Sequence, residues 1–99
     1  MSLSDEQIAY LREYIRTLYG SRCVRCSRHP ARTVHEIESR ASRPADWWAL
    51  ENMVVLCNEC HDWAHHHPAI APEILRICQE AALYGKPIGN LIEILGRQK

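Results

Sequence analysis

The chain has no net charge, with twelve Lys and Arg residues against twelve Asp and Glu residues, so it is not a polycation that coats nucleic acid by bulk charge. It has no apolar stretch of signal-peptide or membrane-span length, which sets the expectation of no membrane partner. Internal repeats, low-complexity segments and a βαβ unit are also missing. Its five cysteines are an odd number and come in closely spaced pairs. A disulfide framework is therefore not expected, and a reducing, cytoplasmic setting is. Ninety-nine residues suffice for a single domain over 1–99, which would bury about 60–70% of its unfolded surface and is small enough to use a metal staple.

Lysine is missing from residues 1–43. Arg12, Arg16, Arg22, Arg25, Arg28, Arg32, Arg40 and Arg43 stand there against Asp5, Glu6, Glu13, Glu36 and Glu38, a balance of about +3 that the remaining residues cancel. Arginine is the cation suited to bidentate phosphate contact. Charge alone favours the plainer reading, a solvated surface carrying ordinary salt bridges.

Along the chain, Ser4-Asp-Glu-Gln7 reads as a capping box opening a helix that carries Ile8, Leu11, Ile15 and Leu18 and ends at Gly20. Ser21 to Pro30 reads as a tight knuckle around Cys23 and Cys26. Two β-compatible runs follow, Arg32–Ile37 and Asn52–Leu56, which pair as an antiparallel hairpin across the polar loop Ser39–Glu51. Trp47 and Trp48 in that loop read as anchors rather than base-stacking groups. Asn58 to about His67 is helical until Pro68 stops it, Pro72 opens another helix, and a last amphipathic segment uses Ile88, Leu91, Ile92 and Leu95. The expected class is α+β, mainly helical.

Cys23, Cys26, Cys57 and Cys60 form two Cys-x-x-Cys pairs, the donor set of a closed tetrahedral zinc. A redox motif needs one pair within a βαβ unit, and neither condition is met. Cys78 lies on the apolar side of its helix and reads as a small buried residue. His61 and His65 stand one helical turn apart on one face, the spacing two ligands of one metal need. With His35 they make a set of three imidazoles suited to a cation that retains open positions. Spacing alone leaves a second reading open, in which these histidines complete the zinc site or cap a helix. His66 and His67 face elsewhere.

The order Cys-x-x-Cys, then Val34-His35-Glu36-Ile37, then Asn52, then Leu56-Cys57-x-x-Cys60-His61 and His65 resembles the zinc-stapled HNH endonucleases of phages and bacteria, with their ββα-metal finger. The match spans about residues 20–66, with nine positions from Asn52 to His61 and four from His61 to His65. The resemblance implies a ββα-metal finger with a four-cysteine structural zinc, flanked by an N-terminal helix and C-terminal helices. It implies that His35, His61 and His65 hold a catalytic divalent ion and that Asn52 ties down the loop between the strands. The family's general base normally precedes the Ile, and here that position is Glu36 rather than His. Glu36 is then the base, an oxygen ligand, or the partner of a neighbouring arginine in an inactive domain. Adjacent strand residues point to opposite faces, which bears on this choice.

The expected activity is metal-dependent hydrolysis of DNA phosphodiesters, nicking one strand and leaving a 5′ phosphate and a 3′ hydroxyl, with His35, Glu36, Asn52 and His61 in the catalytic machinery. The metal expectation is structural Zn²⁺ plus a second divalent ion, Mn²⁺, Mg²⁺, Ni²⁺ or Zn²⁺. Arg25, Arg28, Arg32, Arg40 and Arg43 are the expected phosphate contacts. Few contacts make binding weak and salt-sensitive, so specificity is expected to need a homodimer or a larger phage or bacterial assembly. The alternative is a catalytically inactive zinc-knuckle module that binds DNA or protein.

Overall fold

The computed structural model describes residues 3–86, 89 and 91–96. The order of its elements is α1 (Asp5–Tyr19), β1 (Thr33–Glu36), β2 (Met53–Leu56), α2 (Asn58–His66), α3 (Ala71–Ala82) and α4 (Leu91–Gly96). It is a small α+β fold with four helices and one two-stranded antiparallel sheet among the described residues. None of these helices is long and apolar enough to cross a membrane.

Helix α1 starts where its capping box dictates. The Ser4 hydroxyl accepts from the Gln7 N–H at 3.1 Å, and the Ser4 N–H donates to the Gln7 carbonyl oxygen of the side chain at 2.9 Å, which satisfies two otherwise orphaned donors. Gly20 ends the helix in the left-handed region at φ 83°, its N–H donating to the Arg16 carbonyl. Leu11 and Ile15, one turn apart, are fully buried.

Thr33, Val34, His35 and Glu36 pair with Leu56, Val55, Val54 and Met53 in turn. All four β2 residues are buried, so this strand is covered on both faces. Strand alternation divides them. Met53 and Val55 pack with Leu11, Ile15, Trp48, Leu50 and Ile94 on the α1 and α4 side. Val54 and Leu56 pack with Ile37, Ala64, Ala71, Leu75 and three of the cysteines on the α2 and α3 side. The fold is thus two small cores sharing one strand.

Four boundaries differ from the sequence expectation. Asn52 closes a 3-10 turn, Leu50–Asn52, and the strand opens only at Met53. The turn places the buried Asn52 amide among the loop carbonyls described below. Arg32 and Ile37 lie outside β1, although the Arg32 N–H still donates to the Leu56 carbonyl at 2.9 Å and the Ile37 N–H to the Asn52 carbonyl at 2.8 Å, and α3 begins at Ala71 with Pro72 in its first turn. Cys78 is half-buried rather than buried. On the last segment, Ile88 and the side chains of Leu91 and Ile92 lie outside the described residues.

Candidate metal centres

The first centre is built by two turns. An Arg22–Pro30 bridge pinches the knuckle shut, and the Cys23 N–H donates to the His29 carbonyl while the Ser27 N–H donates to the Cys23 carbonyl. Ser27 takes φ 58° to make that turn. The other two thiols belong to α2, where Cys57 is the N-cap, its sulfur accepting from the Cys60 N–H at 3.4 Å. The four sulfurs all lie within 4.8 Å of one another, and Cys26 Sγ is 3.9 Å from Cys57 Sγ. Four sulfurs at about 2.3 Å from a tetrahedral zinc stand about 3.8 Å apart.

The electrostatics ask for a cation. Burial pushes the Cys60 thiol up to about 12 and raises that of Cys57, whereas the backbone N–H groups of Arg28 and His29 bring Cys26 down to about 6. Four thiolates this close cannot coexist without a compensating charge. Donors already face the sulfurs from outside: the Arg25 guanidinium reaches Cys60 Sγ at 3.4 Å and the Arg28 N–H reaches Cys26 Sγ at 3.5 Å. The cluster could hold a structural metal such as zinc. Cys78 is not part of it.

The second group sits in a cleft of about 650 Å³ between β1, the inter-strand loop, α2 and the start of α3. His35 comes from β1 opposite Val54, and His61 and His65 come from successive turns of α2. Their ligand atoms lie within 4.8 Å of one another, with the Nε2 atoms of His61 and His65 3.1 Å apart. Two nitrogens at about 2.1 Å from one cation, at angles between square and tetrahedral, are about 3.0–3.4 Å apart. Burial, with His61 and His65 nearby, brings His35 down to about 4, and burial with His65 lowers His61. Both shifts favour the neutral imidazole, the form that coordinates metals. His66 and His67 are spent on backbone carbonyls of Asp62 and Trp63.

The chain matches no family model, no curated protein and no solved structure. What the site can do has to be argued from its own donors.

Asn52 is fully buried and bonded at three places. Its oxygen accepts from the Glu38 N–H at 2.8 Å, and its amide nitrogen donates to the carbonyls of Glu38 at 3.0 Å and Trp47 at 2.8 Å. One side chain thereby clamps both ends of the loop between the strands. Glu36 ends β1 and lines the cleft, yet alternation turns it toward α1. There its carboxylate accepts from Arg40 Nε at 3.1 Å and pairs with Arg12 at 3.6 Å.

The expected phosphate contacts divide by what they touch. Arg28 and Arg32 are exposed, and Arg32 borders a smaller cleft with His29 and Asn58. Arg25 is committed to Cys60 and lies flat over Trp63 at 3.7 Å. Arg43 is spent within the loop on Asp46, Glu51 and Glu38, and the Asp46 hydrogen bond holds its guanidinium above the usual range. Arg40 is exposed, stacked on Trp47 at 3.8 Å. Trp48 is buried and Trp47 half-buried, both within the α1-side core. The residue that sequence reading did not single out is Arg12, because nothing within α1 marks it; only the fold brings it beside Glu36.

Proposed function

We propose that the chain is a metal-dependent DNA endonuclease of the HNH type, a ββα-metal finger stapled by the four-cysteine site, which nicks double-stranded DNA. The observation that carries this reading is the convergence of His35, His61 and His65, two of them shifted toward the neutral form, on one wall of an open cleft that also contains a carboxylate and an arginine. A closed four-thiolate set has no vacancy for substrate, whereas three imidazoles leave positions open.

A divalent cation held there would supply Lewis-acid chemistry, neutralising charge on the phosphoryl oxygens. Glu36, which lines the cleft although its carboxylate rests on Arg12 and Arg40 in the free protein, takes the proton of the attacking water. Asn52 fixes the loop that begins two residues after Glu36 and so sets the position of that carboxylate. Arg28 and Arg32, exposed on the knuckle, meet the backbone without reading sequence. The P–O3′ bond breaks as the water oxygen bonds to phosphorus, and the leaving 3′ oxygen takes a proton from solvent, giving a 5′ phosphate and a 3′ hydroxyl. The partner is DNA, the setting cytoplasmic, and site choice falls to a second copy or a larger assembly.

The second reading is a catalytically inactive zinc-knuckle module for DNA or protein, and what favours it is the pairing of Glu36 with two arginines. Relaxation of supercoiled plasmid separates the two. Zinc-loaded protein given Mn²⁺, Mg²⁺ or Ni²⁺ is expected to nick, and His35→Ala, His61→Ala and Glu36→Ala to abolish nicking while retaining one tightly bound zinc. Nicking that survives both histidine changes defeats the nuclease reading, and DNA binding without nicking under any metal favours the module.

A further inference from the structure

Among the described residues, Arg12 makes an ion pair and leaves one donor unmet. Its NH2 lies 3.6 Å from Glu36 Oε2, an ion pair too long for a hydrogen bond. Its Nε is buried without a hydrogen-bond partner among the described residues. Arg40 approaches the same carboxylate from the loop, its Nε donating to Oε1 at 3.1 Å and its plane resting on Trp47 at 3.8 Å. One carboxylate is therefore shared by two guanidiniums, which leaves one positive charge in excess.

Three other arginines are already spent on anions. Arg43 answers Asp46, Glu51 and Glu38, Arg76 donates to Glu38 and to the Glu51 carbonyl, and Arg16 pairs with Glu13. Arg12 and Arg40, which share one carboxylate, keep capacity, and their side chains are 35% and 57% exposed.

We infer that Arg12 and Arg40 form a receptor for a backbone phosphate, and that Glu36 occupies this receptor in the free protein until a phosphodiester displaces it. The ligand class rests on the nuclease reading; the competition itself rests on the three side chains. Carboxylate and phosphate present the same acceptor fork to guanidinium donors, so they compete for one place. A phosphodiester has two non-bridging oxygens, enough to serve both arginines where Glu36 serves Arg12 poorly. The Trp47 face keeps Arg40 oriented during the exchange. Glu36 is then released where DNA is bound, and the proton acceptor becomes available together with its substrate.

The experiment uses the zinc-loaded full chain without other divalent metal, and reads binding of a short labelled duplex by fluorescence anisotropy. Glu36→Gln, nearly isosteric, is expected to tighten binding about three- to fivefold, the scale of one part-exposed ion pair. Arg12→Gln and Arg40→Gln weaken it, and Arg12→Lys weakens it less. In the Arg12→Gln/Arg40→Gln background, Glu36→Gln no longer tightens. Inorganic phosphate, followed at the Nε–Hε NMR signals, shifts both arginines, and does so at lower concentration in Glu36→Gln. The inference is overturned if Glu36→Gln binds equally or more weakly. It is also overturned if the tightening survives in the double arginine background, which makes it a net-charge effect, or if phosphate moves neither arginine signal. Plasmid nicking by the wild type is scored separately, so that failure of the nuclease reading is distinguishable from failure of the exchange.

Discussion

Cys57→Ser is the sharpest perturbation of the thiol centre, because Cys57 does two jobs that serine separates. As N-cap of α2 its side chain accepts from the Cys60 N–H, and serine is at least as good a cap. As one of four clustered sulfurs it cannot be replaced by a neutral hydroxyl. Beyond about 1–3 kcal/mol for burying a hydroxyl in the α2-side core, the stability lost is expected to be the metal's. A 99-residue chain has a total stability of about 5–15 kcal/mol, while a structural zinc binds with about 10–16 kcal/mol of apparent free energy. The two are comparable, so a chain without the metal has roughly no stability left.

Loss should not stop at the knuckle. Cys23, Cys57 and Cys60 belong to the α2-side core, and β2, buried at every residue, is also a wall of the α1-side core. Circular dichroism in reducing buffer, with zinc content measured in parallel, should show wild-type protein melting cooperatively with one tightly held zinc. Cys57→Ser and EDTA-stripped protein should show no cooperative melt. A stripped or substituted chain that still melts cooperatively within about 8 °C of the zinc form would have lost only about 1 kcal/mol, and the staple argument would be refuted.

Asn52→Ala strips the bonds to Glu38 and Trp47 and leaves their buried backbone groups without partners; about 2–4 kcal/mol should be lost in urea denaturation, and an unchanged midpoint would show that the loop holds without the clamp. Arg43→Ala should lower stability modestly while leaving duplex affinity almost unchanged, since this guanidinium is spent on carboxylates. The same pair sets an acid limb: the Arg43 hydrogen bond holds Asp46 below its ordinary 3.8, so its contribution is present above that value and fades as pH falls through the lower folded value. Melting temperature against pH should show this limb shrinking in Arg43→Ala, and a large loss of DNA affinity in that variant would contradict the structural assignment.

Much of the scaffold was legible because it is encoded over short separations. The capping box, Gly20 and Pro68 punctuate helices by local hydrogen bonding and sterics, and the structure has α1 and α2 where those residues put them. Cys-x-x-Cys spacing places two sulfurs on one turn, and the four-residue step from His61 to His65 places two imidazoles on one helix face. Asn52 as a loop tie is what the resemblance implies, and its place in a 3-10 turn was not legible, since its side chain bonds to Glu38 and Trp47, partners that local propensity does not contain.

By itself, then, the sequence determined which donors exist, how they are spaced within each turn, and where the helices begin and end. Tertiary structure decided which of them meet. It brought His35 to α2 through pairing with β2, divided the arginines between sulfur, carboxylate and solvent, and set Glu36 between Arg12 and Arg40. The physical reason is one of reach. A turn or a helix face is specified by neighbours a few residues away, whereas a long guanidinium takes whichever anion the folded chain carries within a few ångströms of it, and that neighbour is named by packing.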